Sequence, residues 1–415
     1  MLHDLPPEIW RMVFSYLTTQ MSPSNISELG IEALWKNCTF PDPHRARDFP
    51  TTAQFMDCVV PCRLWKPKFK SSAEALSVVQ VCHAWHDLGL EFLYHTVTVS
   101  TSSHLNILKV VLAPSYGRGR FVRRVIIGRH VPMSLDNLQL ILSGCTNIED
   151  FEFHEISHSG RLFSPLASCP SIRYCFYTSY LLGIPPAIMS PFTHLQALHI
   201  VAVTVASTTS TEVMPVVLPQ LAVLVLKCDK NLSHYYQRIA KWTLPSLRVL
   251  VCQWIITPAL HALCEAFAQT VELLEIIQYD SWYITPDTIE MPMLKYLVVD
   301  WIPPFPGYTP RFNASRHFHS LPSLTTLRLE NMDRALRSTS AAAVAAEVEH
   351  EIAILSPENR FAPRLQTLYV GAELGDIVGG DLERCFATRA AFRWALRGRD
   401  GIWKVAGDGK LTVNA

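Results

Sequence analysis

The chain has 415 residues, long enough for two or more ordinary domains or for a small domain followed by a repeat array. Its 36 Lys and Arg equal its 36 Asp and Glu, so no long-range field favours nucleic acid or an acidic membrane, and neither is expected as a partner. Apolar stretches such as residues 218–226 fall far short of the about 18 residues that a membrane span needs.

The N-terminal residues have neither the basic nor the apolar region of a secretory signal, and none is expected. Eleven cysteines, an odd number, sit mostly among apolar neighbours, as Cys175, Cys252 and Cys264 do. They read as reduced, buried thiols of an intracellular protein, cytoplasmic or nuclear.

A first helical segment is expected from Leu5-Pro-Pro-Glu8, where proline suits the first turn and Glu8 favours the positive end of the helix dipole. Ile9, Val13 and Leu17 recur every four residues, with Trp10 and Phe14 beside them, which gives a broad apolar face. A second segment carries Val78, Val81, Cys82, Trp85, Leu88 and Phe92 at helical spacing. Between them, residues 21–72 contain six prolines and no sustained period, so they read as an insertion.

Within that insertion Cys38, His44, Cys58 and Cys62 are soft or borderline zinc ligands by type, but the Cys58-x-x-x-Cys62 spacing lacks a matched second pair. Cys82-His83 is a nucleophile pair by composition alone and lies on an apolar helix face. Signatures of hydrolases, phosphate loops, dinucleotide sites and zinc proteases are missing. No catalytic residue, metal or cofactor is therefore expected.

The run Leu5-Pro-Pro-Glu-Ile-Trp-Arg-Met-Val-Phe-Ser-Tyr-Leu17, followed by Val81-Cys-His-Ala-Trp85 and Leu88, resembles an F-box, whose form is Leu-Pro-x-Glu-Ile-x-x-x-Ile-Phe-x-x-Leu and then Val-Cys-x-x-Trp. The insertion resembles those of fungal F-box proteins. The resemblance implies a helical domain over about residues 1–100 that docks on a Skp-type adaptor and, through it, a cullin. It makes Leu5, Pro6, Ile9, Phe14, Leu17, Val81 and Trp85 the adaptor-contacting or packing positions. Residues 94–99 resemble the strand that joins an F-box to repeats.

From residue 101 to 374 one pattern recurs, (Pro)-x-Leu-x-x-Leu-x-Leu, clearest at residues 193–200, 219–226, 292–299 and 322–329. Its first apolar anchors are Val122, Ile148, Ile172, Leu195, Leu221, Leu247, Val271, Leu294, Leu324 and Leu365. The steps between them are 26, 24, 23, 26, 26, 24, 23, 30 and 41 residues, and all but the last two lie inside the about 20 to 29 of leucine-rich repeats. Each copy reads as one strand with two inward apolar residues, from Val125/Ile127 and Phe151/Phe153 to Leu327/Leu329 and Leu368/Val370. The array is degenerate, for the Asn or Cys three residues past the last leucine is replaced by Val203, Asp229, Ile255 and others.

The fold expected is thus α/β: a small helical domain, then a leucine-rich-repeat-like solenoid with parallel strands on the concave face and helices or irregular connectors on the convex face. Residues 338–355, rich in helix formers behind Ser and Thr, read as the longest convex helix. In the tail, residues 375–415, a helix over 381–396 and a hairpin around Gly407-Asp-Gly409 read as a cap.

Outward positions of the strands give the candidate binding face. Val223, Val225, Val249 and Val251 form an apolar floor, flanked by Tyr174, Phe176 and His199 on one side and Tyr296, Asp300 and Arg328 on the other. The plainer reading is ordinary strand propensity beneath covering loops or the tail, and sequence leaves both open. Together with the resemblance, the expected function is the substrate-recognition subunit of a cullin-based ubiquitin ligase, itself non-catalytic, with an unidentified protein substrate. The alternatives are an F-box scaffold acting outside the ligase and, remotely, an intracellular hydrolase or zinc-dependent enzyme.

Overall fold

The computed structural model describes residues 7–10, 76, 80–112, 117–128, 131, 133–154, 163–166, 169–181, 189, 191–204, 216–228, 233–253, 257–277, 289–300, 318–330, 361–365, 367–370, 402–405 and 410–414. They fall into two compact units, Met1–Val223 and Leu224–Ala415.

In the first unit, residues 7–10 are helical. Helix α1 (His83–His95) then passes directly into strand β1 (Thr96–Val99). Tyr94 and His95, expected in the strand, instead complete the helix. The Tyr94 hydroxyl accepts a 2.8 Å bond from Arg118 Nη1, and the His95 carbonyl accepts the Arg123 N–H at 3.0 Å.

Next come α2 (Ser102–Val111), β2 (Arg124–Ile127), α3 (Leu135–Gly144), β3 (Asp150–Phe153), the short α4 (Phe163–Leu166), β4 (Tyr174–Leu181) and β5 (Ala197–Thr204). Helices α2 and α3 start at side-chain caps, where Thr101 accepts the His104 N–H and Ser134 the Asn137 N–H. Both bury residues spaced three and four apart, Leu105 and Leu108 in α2, Leu138, Ile141 and Leu142 in α3.

Strands β1 to β5 pair in parallel, in the register that the repeat spacing dictates: Val125, Phe151, Cys175 and Leu198 form one row and Ile127, Phe153, Tyr177 and Ile200 another. The register expected from the repeat spacing therefore holds across this unit. Phe151, Phe153 and Tyr177 stack in sequence, with centroid separations of 6.1 and 6.0 Å.

Strand β6 (Val223–Cys228) straddles the boundary between the units. The second unit continues with α5 (Ser233–Ile239), β7 (Val249–Gln253), α6 (Thr257–Phe267), β8 (Leu273–Ile277), β9 (Ile289–Glu290), β10 (Tyr296–Asp300), β11 (Phe318–Ser320), β12 (Thr326–Glu330), β13 (Thr367–Val370), β14 (Ile402–Val405) and β15 (Lys410–Asn414). Strands β7, β8, β10, β12 and β13 are parallel neighbours, aligning Leu250, Leu274, Leu297, Leu327 and Leu368. The tail hairpin forms as expected: β14 and β15 are antiparallel, and β15 adds to the edge of β13. The expected helices over 338–355 and 381–396 lie outside the described residues.

One turn is repeated before the strands. The N–H of six anchors that follow a proline donates to the carbonyl three residues back: Ile172 to Cys169, Leu221 to Leu218, Leu247 to Leu244, Leu294 to Met291, Leu324 to Leu321 and Leu365 to Ala362, at 3.1 to 3.3 Å. Pro170, Pro219, Pro245, Pro292, Pro322 and Pro363 occupy the second position of these turns, where a fixed φ is preorganised and no N–H is needed. The prolines are thus part of the turn and set the strand's entry.

Adjacent repeats are tied by donors at the same end. Ser171 Oγ donates to the Ile148 carbonyl at 2.7 Å, Asn147 Nδ2 to that of Arg120 at 2.8 Å and Thr325 Oγ1 to that of Lys295 at 3.1 Å. These bonds do part of what the absent asparagine ladder does in regular arrays.

Candidate protein-interaction sites

The two halves of the F-box-like motif meet in the first unit. Trp10 is 9% exposed, and Trp85, Leu88 and Phe92 of α1 pack against it. The Trp10 and Trp85 rings lie 4.6 Å apart at 56°. This cluster leaves apolar side chains facing solvent: Ile9 is 39%, Leu76 45% and Val81 59% exposed. One of them stands in the 7–10 helix and two stand shortly before α1, and singly exposed aliphatics are ordinary. Leu5, Pro6, Phe14 and Leu17 lie outside the described residues, as do Cys38, His44, Cys58 and Cys62.

The candidate floor differs from expectation. In the first unit Tyr174, Phe176, His199 and Val223 are at most 3% exposed; in the second Val225, Val249 and Val251 are at most 4%. Tyr296 is half-buried, and the side chains of Asp300 and Arg328 lie outside the description. An open apolar floor is thus corrected to a second buried face. Outward and inward rows are both taken from water, as when a parallel sheet is covered on both sides, and the valines suit that burial.

Polar side chains are buried with them. In the first unit Arg124 and Glu152 form an ion pair, His154 Nε2 lies 3.6 Å from Glu152 Oε2, and the His154 and His199 rings each stand 4.5 Å from Phe176. Burial alone would push the Glu152 carboxyl up, but the nearby His154 ring and the charge and hydrogen bond of Arg124 hold it below its ordinary value. Burial pushes the Tyr174 hydroxyl well up, and the Glu152 charge adds to this. In the second unit Lys227 is 1% exposed, and its Nζ has no hydrogen-bond partner among the described residues.

Sequence reasoning passed over Arg124 and Asp150, both buried. Their signal was a charge at the outward position that opens a strand. It also passed over the position just after each anchor, where Arg123, Glu149 and Arg173, then Arg248, Glu272 and Lys295, line the strand entrances. There Arg123 Nη1 meets Glu149 Oε1 at 3.1 Å, while Glu272 accepts from Arg248 at 2.8 Å and from Lys295 at 2.7 Å.

Burial pushes the thiols of Cys145 and Cys175 up to about 12, and that of Cys264 higher still, so these sulfurs stay protonated and poorly nucleophilic. Among the described residues no group of three or more His, Cys, Asp or Glu side chains is placed to hold a metal ion. Nor is any described helix long and apolar enough to cross a membrane.

No family model matches the chain, and no curated protein matches it. Among solved structures it is similar to a chain in the crystal structure of the Rad7 and Elc1 complex in yeast, at 14% identity and a TM-score of 0.36, covering 78% of this chain and 88% of that one.

Proposed function

We propose that this chain is an F-box-type receptor: its N-terminal motif docks on a Skp-type adaptor and, through it, a cullin, while the repeats hold a protein to be ubiquitinated. The supporting observation is the Trp10–Trp85 contact, which unites motif halves 75 positions apart, while Ile9 and Val81 of the same motif are exposed. A surface of that kind gains affinity by burying apolar area, roughly 25 cal/mol per Å² before association costs. The chain does no bond chemistry in this reading; it raises the local concentration of a substrate near a conjugating enzyme.

The test is affinity capture of the tagged chain, blotted for adaptor and cullin, against a Leu5→Ala/Pro6→Ala variant and an Ile9→Asp/Val81→Asp variant. Wild type should retain both partners and the variants neither, with unchanged melting. Adaptor without cullin would instead indicate a scaffold outside the ligase, and undiminished capture by both variants would sink the assignment.

A further inference from the structure

The same three-rung motif, cation–Glu–cation, occurs at the strand entrances of both units and is completed in only one of them. In the second unit Glu272 accepts from both neighbours, Arg248 at 2.8 Å and Lys295 at 2.7 Å, so its carboxylate fills the space between two cations. In the first unit Glu149 bonds Arg123 alone, at 3.1 Å. The rungs are continuous, since the Glu149 N–H donates to the Arg123 carbonyl at 2.7 Å and the Arg173 N–H to that of Glu149 at 2.8 Å. Yet Arg173 is exposed and has no carboxylate partner among the described residues.

Arg120 extends this edge. It is exposed, its guanidinium lies 4.7 Å from the Phe121 ring centre, and its carbonyl is fixed by Asn147. In a chain whose charges balance at 36 against 36, this edge sets, among the described residues at these positions, Arg120, Arg123 and Arg173 against Glu149.

We propose that this edge of the first unit receives an acidic segment of a partner protein, whose carboxylate takes at Arg173 the place that Glu272 fills beside Lys295. The cations are all arginines, whose planar fork accepts a carboxylate in bidentate fashion. Arg123 and Arg173 are two rungs apart, roughly 10 Å, which matches carboxylates three residues apart on a polyproline II segment, where every third side chain shares a face at about 9 Å. The phenyl face under Arg120 limits its conformational freedom, and with it the entropy lost on binding. This interaction lies beyond adaptor docking and does not depend on it.

The test uses the full chain and fluorescence anisotropy with three short peptides of equal length: one rich in Glu and Asp, one neutral, and the neutral one carrying a phosphoserine. The acidic peptide should bind best and weaken steeply with salt. Arg120→Gln/Arg173→Gln should lower its affinity about tenfold, the loss of one to two charge-assisted contacts, without changing the melting temperature. Arg248→Gln, at the filled motif, should bind like wild type, and Arg173→Lys should weaken binding less than Arg173→Gln, since an ammonium keeps the charge but not the bidentate contact. Equal binding of acidic and neutral peptides, a requirement for the phosphoserine, or unchanged affinity in the double variant would each overturn the proposal. Preferential binding of single-stranded RNA would overturn it as well.

Discussion

Gly119 stands so close to Gly144 that a Cβ on it would come within 1.8 Å of the Gly144 carbonyl oxygen. The obstacle is backbone, so no rotamer change relieves it. Gly144 is confined in turn, since its own Cβ would meet the Leu112 carbonyl oxygen at 2.9 Å. The first repeats of this chain therefore approach backbone to backbone at these glycines. Gly119→Ala should cost at least about 1 to 3 kcal/mol, the range for overpacking. Gly117→Ala, at φ 59° but with nothing within 4 Å of its Cβ, should cost only about 1 kcal/mol from the left-handed conformation. Chemical denaturation of both variants checks the order; equal losses would contradict the close approach.

Leu224 and Val225 are adjacent on β6 and are each 0% exposed. Alternation puts them on opposite faces, and a one-faced sheet would tolerate a charge at Val225. Since both faces are buried here, Leu224→Asp and Val225→Asp should each cost several kcal/mol, the penalty of an unpaired buried carboxylate. Thermal melts decide it: a Val225→Asp variant as stable as wild type would show an open outward face.

Glu152→Gln should destabilise by roughly 1.5 to 3 kcal/mol, because it removes a buried charge-assisted contact of the Arg124 guanidinium. Acid sensitivity should change with it. The Glu152 carboxyl is held below its ordinary value of 4.5 in the folded chain, so the stability it contributes is present above that pH and is lost as the pH falls through the lowered value. The variant should lack this part of the acid loss. Melting curves from neutral pH down to the carboxylate range test both statements.

Alkylation with iodoacetamide near neutral pH should, among the described cysteines, modify half-buried Cys82 first and leave Cys145, Cys175 and Cys264 unmodified until the chain is unfolded. Two of the three buried thiols have values near 12, so almost no thiolate is present to react. Peptide mass spectrometry with and without denaturant gives the order.

The sequence by itself determined where the repeat strands lie and their register. A period of 23 to 26 residues with an apolar anchor and two alternating apolar residues leaves one parallel alignment that keeps every inward pair together, and Val125, Phe151, Cys175 and Leu198 lie in that row. The apolar spacing of Trp85, Leu88 and Phe92 was legible in the same way, but not their packing against Trp10. Only the tertiary structure decided what the outward face does. Alternation says that two faces differ and not whether either is open, so Val225, Val251 and His199 read as a floor until their burial was known. It also decided the ionic edge. Arg123–Glu149–Arg173 and Arg248–Glu272–Lys295 are equivalent as strings, but an ion pair needs an approach of a few ångströms that side-chain geometry sets, and Glu272 gains two partners where Glu149 has one.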